Sequence, residues 1–235
     1  MSTFLLVPGA WLGGWVWADT VAALAQRGHD ARPLTLTGLA ERAGEATPET
    51  DLTTHIDDIL RAAAGLHDLT LVAHSYAAAP VTTAAARLGD RLARVVYVDS
   101  APFSEGMRML DLMPPEAADA LRAQLVDHRL PFDPLSGSTT GLGPREQELL
   151  RARATPQPFG TYEQRLPGPV EPGPGVDRVL VACEEFTTML DAGVPALAAL
   201  TRPPWRRFDL ATGHWPMLSE PARLAEVLDR AVKST

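Results

Sequence analysis

The chain has 235 residues, 46% hydrophobic and 21% charged, a composition that supports a buried core and argues against disorder. Its formal charge of -8 leaves no excess of cations for a phosphate backbone or an anionic lipid surface, so the expected partner is a small neutral or apolar molecule, not nucleic acid or membrane. A single cysteine, Cys183, excludes an internal disulfide, and no charged segment with a following apolar run marks a leader at Met1, so a cytoplasmic location is expected.

In chain order, Phe4-Leu5-Leu6-Val7 reads as a short apolar strand. It runs into Pro8-Gly9-Ala10-Trp11-Leu12-Gly13-Gly14-Trp15, a loop whose glycines let backbone amides approach a ligand closely. The apolar run Trp11 to Trp17 is broken by glycines and followed by Asp19, so it cannot span a membrane. Trp17 to Arg27 carries apolar residues at helical spacing and ends at Gly28, a C-cap signal, and His29 beyond it reads as a solvated turn residue. Ala31 to Leu36 is the next expected strand. Asp51 is an N-cap candidate for an amphipathic helix whose buried stripe is Leu52, Ile56, Ile59 and Leu60. On that helix His55, Asp57 and Asp58 read as a solvated face, so no metal and no cofactor is called for.

The stretch Leu69 to Pro80 organises the chain. Leu69-Thr70-Leu71-Val72-Ala73 reads as a buried strand and the Ala-rich run from Ala77 as a helix, so Ser75 falls at a sharp strand-to-helix junction. A nucleophile elbow needs that context, with small residues two before and two after the serine; both are alanine here, Ala73 and Ala77. Leu92 to Asp99 is another near-continuous apolar run that ends in a carboxylate, as a parallel strand covered on both faces would. From Ser100 to Pro174 the pattern changes to a Met-bearing stretch (Met107, Met109, Met113), helical periods near 116–127 and 145–153, and a proline-rich run, which together read as an insertion capping the core. Its methionines and leucines either line a substrate cleft or fill irregular core. Val179 to Cys183 resumes the strand pattern, Trp205 to Leu210 is the last strand, and Gly213-His214-Trp215 follows it. The order serine then histidine, each in a loop after a strand, makes Ser75 and His214 a candidate nucleophile and base.

With those residues in place, the chain resembles the α/β-hydrolase superfamily, esterase and hydroxynitrile-lyase-like branch. The resemblance rests on Phe4 to Trp17, Leu36 to Ala43, Val72 to Tyr76 and Gly213 to Pro221, and so runs nearly end to end. It implies an α/β fold with a doubly wound, mostly parallel sheet, helices on both faces and a helical cap inserted after the sixth strand. The core is expected in 1–99 and 175–235 and the cap in 100–174. It also implies an oxyanion hole made by the amides of Ala10 and Tyr76. The family's usual acid position falls on Phe186, so three carboxylates compete to orient His214. Asp99 is preferred, because some α/β-hydrolases carry the acid there, with Glu184 or Glu185 as the alternative and no acid at all as the third reading.

These residues lead to an expected hydrolase for a small ester, thioester or lactone, acting through an acyl-enzyme on Ser75. The rivals are a lyase or cyclase using Ser75 and His214 for proton transfer alone, and a non-enzymatic ligand-binding protein on the same scaffold. Cyanohydrin lyase chemistry of the plant type is disfavoured, since the branch's threonine is Gly9 here and its lysine Trp215. A homodimer is left open as a partner.

Overall fold

A computed structural model describes residues 1–132 and 138–233; residues 133–137, inside the expected insertion, and 234–235 lie outside the described residues. Six strands form one parallel sheet: β1 (Thr3–Val7), β2 (Asp30–Pro33), β3 (Leu69–His74), β4 (Leu92–Val98), β7 (Asp177–Ala182) and β8 (Trp205–Asp209), in the order β2-β1-β3-β4-β7-β8. Two short strands of the insertion, β5 (Arg129–Leu130) and β6 (Gln157–Pro158), pair antiparallel apart from it.

The apolar runs form strands because both faces of the sheet are covered, so every position can be apolar. Alternation then sorts the side chains. Leu5, Val7, Leu71, Ala73 and Val95 face one cluster, which also takes in Ile56 and Ile59 of helix α2 (Leu52–Ala62) and Val81 and Leu88 of α3 (Ala78–Leu88). Phe4, Leu6, Val72, Val96 and Val179 face the other, with Leu24 of α1 (Ala18–Gln26) and Leu224 and Leu228 of α9 (Pro221–Lys233). Parallel register puts the strand ends level: Val7 pairs with Ala73, His74 with Val98, and Val98 with Val181. Because β2 lies on one side of β1 and β3 on the other, the chain reverses its winding between β1 and β3, where the carboxyl ends of a doubly wound sheet leave a crevice.

The insertion leaves the sheet after β4, the fourth strand of the chain rather than the sixth, since only β1 to β4 precede it among the described residues. It contains α4 (Pro115–Arg122), α5 (Pro144–Arg153) and α6 (Gly160–Glu163). Its buried Phe103, Leu110, Phe159 and Tyr162 belong to the same core cluster as α2 and α3, while Leu142 and Leu150 pack into the opposite one.

Several local expectations are corrected. β2 is shorter than Ala31 to Leu36 and ends at Pro33, which has no N–H to extend a ladder. His29 is not a solvated turn residue: its side chain is 4% exposed and its Nε2 lies 2.8 Å from Asp229 of α9. On α2 the expected N-cap holds, with Asp51 accepting from the Thr54 amide, but His55 and Asp58 are buried and only Asp57 is exposed. Helical spacing explains the difference, because residue 55 lies on the stripe defined by 52, 56 and 59.

Candidate active site

Ser75 follows β3 directly and takes φ +53°, the left-handed conformation that a bulky residue avoids and an elbow serine needs. Ala73 and Ala77 on either side are fully buried, where larger side chains would push strand and helix apart. Asp99, one residue beyond β4, has a similar backbone twist, φ +48°. Level strand ends bring these two turns side by side, and the loop after β8 supplies His214.

The three side chains form one hydrogen-bonded series. The Asp99 Oδ2 lies 2.6 Å from His214 Nδ1, and His214 Nε2 lies 2.9 Å from Ser75 Oγ. With the Nδ1 proton donated to the carboxylate, Nε2 presents its lone pair to the Ser75 hydroxyl. The other Asp99 oxygen accepts the Cys183 N–H at 2.9 Å, so both oxygens are held. Burial pushes the Asp99 carboxyl up, but the hydrogen bond and charge interaction with His214 and the Cys183 amide outweigh it and hold Asp99 below its ordinary value. Glu184 and Glu185 open helix α7 (Glu184–Asp191) and point to solvent, while Phe186 is buried. Of the three competing carboxylates, the fold brings only Asp99 to His214.

A second histidine lies behind the first. His74 is fully buried, and burial followed by the neighbouring His214 lowers its pKa to about 3. The neutral ring donates Nε2–H to the His214 carbonyl at 2.8 Å, fixing the backbone of the loop. Gly9 packs against this pair: a Cβ there would sit 2.8 Å from His74 Nδ1 and 3.2 Å from Ser75 Cβ, so only glycine lets the β1 loop come this close to the elbow. Ala10 follows Gly9 in this loop, and among the described residues its N–H donates no hydrogen bond. The Tyr76 N–H opens the helical turn after Ser75, where no intrahelical acceptor exists.

Tyr76 is anchored by a polar network that the sequence reading missed. Its hydroxyl lies 2.8 Å from His55 Nδ1, and His55 Nε2 lies 2.8 Å from the Thr37 carbonyl. The carbonyl can only accept, so His55 donates from Nε2 and accepts the Tyr76 proton at Nδ1. Burial pulls the His55 pKa down to about 4, consistent with a neutral ring. Asp58 accepts the Thr37 N–H at 2.7 Å and pairs with Arg42 and Arg61. The helical stripe through residue 55 was the signal that could have found it.

Beside Ser75 lies a cavity of about 240 Å³ lined by Tyr76, Ala78, Phe103, Met107, Met109 and Phe186, with Leu112 at its rim and no charged residue in its wall. Met107 and Met109 thus line the cleft as one of the two readings expected, while Met113 sits elsewhere on the insertion beside Arg108 and Asp111. A larger cavity, about 330 Å³, lies across the Ala101-Pro102-Phe103 segment and is lined by Tyr97, Arg178 and Trp205. It contains none of Ser75, Asp99 and His214 and is not the place where they can act.

A parallel sheet with a Ser-His-Asp series at its carboxyl edge is the arrangement of an α/β-hydrolase. The family model described as the alpha/beta hydrolase family matches residues 4–227, and the chain belongs to that family. It is 32% identical over 177 residues to a carbendazim hydrolyzing esterase of Nocardioides sp. (strain SG-4G), covering 71% of this chain and 73% of that one. It is 23% identical to the putative chloroplastic methylesterase 13 of Arabidopsis thaliana, across 96% of this chain but only 55% of the relative's length. Among solved structures it resembles an extracellular alpha/beta-hydrolase from a Paenibacillus species (TM-score 0.82, 18% identity, 98% of this chain and 99% of that one). It also resembles the Arabidopsis methylesterase MES16 (TM-score 0.75, 19% identity, 100% of both) and tomato methylketone synthase I (TM-score 0.71, 18% identity, 100% and 99%). At these identities the likeness to solved structures is one of fold.

Proposed function

We propose that the protein is a serine hydrolase that cleaves a small, uncharged ester, thioester or lactone through an acyl-enzyme on Ser75. The observation that carries this reading is the unbroken series from Asp99 through His214 to Ser75 Oγ, at 2.6 and 2.9 Å. His214 Nε2 takes the hydroxyl proton as Oγ attacks the acyl carbon, and the imidazolium that forms is stabilised by Asp99. The amides of Ala10 and Tyr76 receive the negative charge that develops on the carbonyl oxygen. His214 then returns its proton to the departing alcohol or thiol, or to the ring oxygen that a lactone keeps tethered to the acyl group. A water, deprotonated by the same imidazole, releases the acid. The uncharged wall of the 240 Å³ cavity suits a neutral apolar group, and the relatives named as esterases support an ester as the substrate class.

Rapid mixing with p-nitrophenyl acetate tests the mechanism. An acyl-enzyme releases a stoichiometric burst of p-nitrophenol ahead of steady turnover whenever deacylation is the slower step, and Ser75→Ala should remove both phases. Turnover that survives in Ser75→Ala would refute the acyl-enzyme.

A further inference from the structure

The loop that carries the Ala10 amide closes one long turn bond of its own, from the Leu12 N–H to the Gly9 carbonyl at 3.4 Å, and takes its other holds on Trp11 from elsewhere. Trp11, the next residue, takes φ +65°, a conformation that a bulky side chain adopts only when its surroundings over-determine it. Those surroundings come from the insertion, more than a hundred residues later in the chain. The Trp11 N–H donates to Gln157 Oε1 at 2.9 Å, the Trp11 carbonyl accepts from the Thr155 amide at 2.9 Å, and the indole N–H donates to the Leu130 carbonyl at 3.1 Å. Every polar group of Trp11 is thereby bound by residues of the 100–174 segment.

Gln157 is the one side chain in that set. It is fully buried, and its other end is also fixed: Nε2 donates to Thr161 Oγ1 at 2.9 Å, which in turn donates to the Pro158 carbonyl at 2.6 Å. Reversing the amide would turn its NH₂ toward the Trp11 N–H, two donors facing each other, so the orientation is determined by the partners. The bond acts on the Ala10–Trp11 peptide plane, which sets ψ of Ala10. Through Ala10 it sets the Gly9–Ala10 plane that carries the neighbouring N–H. It also occupies the Trp11 N–H, whereas the Ala10 N–H donates to no other group among the described residues. The same short segment reaches the other amide, because Tyr162 stacks on the Tyr76 ring at 5.6 Å with the planes 3° apart.

We propose that Gln157 is a positioning residue for the oxyanion pocket, so that the insertion, besides lining the cleft, holds the transition-state donors in place. This rests on the serine-hydrolase reading given above. The expected signature is a loss confined to the transition state, since a donor displaced by a fraction of an ångström still lets substrate bind but meets the oxyanion poorly.

The test compares Gln157→Leu, which removes the acceptor, with Gln157→Glu, which keeps it, and with Gln164→Leu as control. Gln164 ties the insertion to α2 through Thr53, and neither of these hydrogen bonds involves the loop 8–15, so its loss reports what any broken insertion contact does. Gln157→Leu should lower kcat for p-nitrophenyl acetate by about ten- to a hundredfold with KM little changed. Its inhibition constant for a trifluoromethyl ketone, which Ser75 converts to a hemiketal oxyanion, should rise by the same factor. Gln157→Glu should retain most of the turnover, and Gln164→Leu should leave kcat and the inhibition constant unchanged. If Gln157→Leu does not fold, Gln157→Met supplies a side chain of similar length whose sulfur accepts only weakly. A Gln157→Leu or Gln157→Met protein with wild-type kcat, or one whose loss is matched by Gln164→Leu or leaves the ketone's inhibition constant unmoved, overturns the inference. Wild-type protein that hydrolyses no ester would instead overturn the serine-hydrolase reading itself.

Discussion

Replacing Asp99 by Asn probes the orienting acid without removing its shape. Both carboxylate oxygens are in use, one on the Cys183 N–H at 2.9 Å and the other on His214 Nδ1 at 2.6 Å. An amide has one acceptor, and the Cys183 N–H, buried and unable to turn, claims it. The NH₂ group then faces His214 and can be satisfied only if Nδ1 is the unprotonated nitrogen. That tautomer carries its proton on Nε2, so the imidazole donates toward Ser75 Oγ and can no longer accept the hydroxyl proton. An inverted tautomer of this kind costs about 10⁴-fold in kcat, or about 5 kcal/mol of transition-state stabilisation. Steady-state hydrolysis of p-nitrophenyl acetate should show that loss in kcat with KM little changed, and thermal unfolding should shift only slightly, since the Cys183 bond survives. Asp99→Ala should be less stable by about 1 to 3 kcal/mol, because it leaves the buried amide without an acceptor. Near-parental turnover in Asp99→Asn, with collapse in Glu184→Gln or Glu185→Gln, would refute the assignment.

Other perturbations have equally definite outcomes. Gly9→Ala places a Cβ 2.8 Å from His74 Nδ1, so it should destabilise the fold by about 1 to 3 kcal/mol in urea unfolding and depress kcat more than KM; wild-type values of both would show that the loop has room. Acid should unfold the protein through its buried histidines. His55 and His74 titrate at about 4 and about 3 in the fold against 6.5 for an ordinary histidine, so between pH 6.5 and 4 the unfolded chain binds more protons and stability falls as pH falls. The loss from His55 is on the order of 3 kcal/mol by pH 4, and urea midpoints that do not drop over this range, or that drop equally in His55→Asn, would contradict it. His214→Ala should lower kcat by about a hundred- to ten-thousandfold, since it removes the nitrogen on the Ser75 hydroxyl. Substantial turnover in that variant would require another base.

The site was legible in the sequence where its signal is local. An elbow is a strand, a serine between two small residues and a helix, all within a dozen positions, and Gly213-His214 stands in an equally short strand-to-loop context. Asp99 is legible as a carboxylate at a strand end and is the preferred acid on sequence alone, but setting aside Glu184 and Glu185 needs the order β3-β4-β7, which places the end of β4 beside both the elbow and the strand that leads to Cys183. His55 looks solvated by residue type alone, yet residue 55 lies on the buried stripe of α2, and helical position decides its burial. Gln157 had no local signal: its strand is two residues long inside a proline-rich run, and its partner Trp11 lies 146 positions away. A polar residue buried by long-range pairing outside a regular helix or long strand, as Gln157 is, leaves no periodic trace.

If His214 activates Ser75 as a nucleophile, a phosphonylating reagent should react with that hydroxyl before any other. Incubating the protein with a fluorophosphonate and mapping the modified peptide by mass spectrometry tests it most directly. One stoichiometric adduct on Ser75 is expected, lost in Ser75→Ala and formed far more slowly in His214→Ala. An unmodified protein, or an adduct on any other residue, would contradict it.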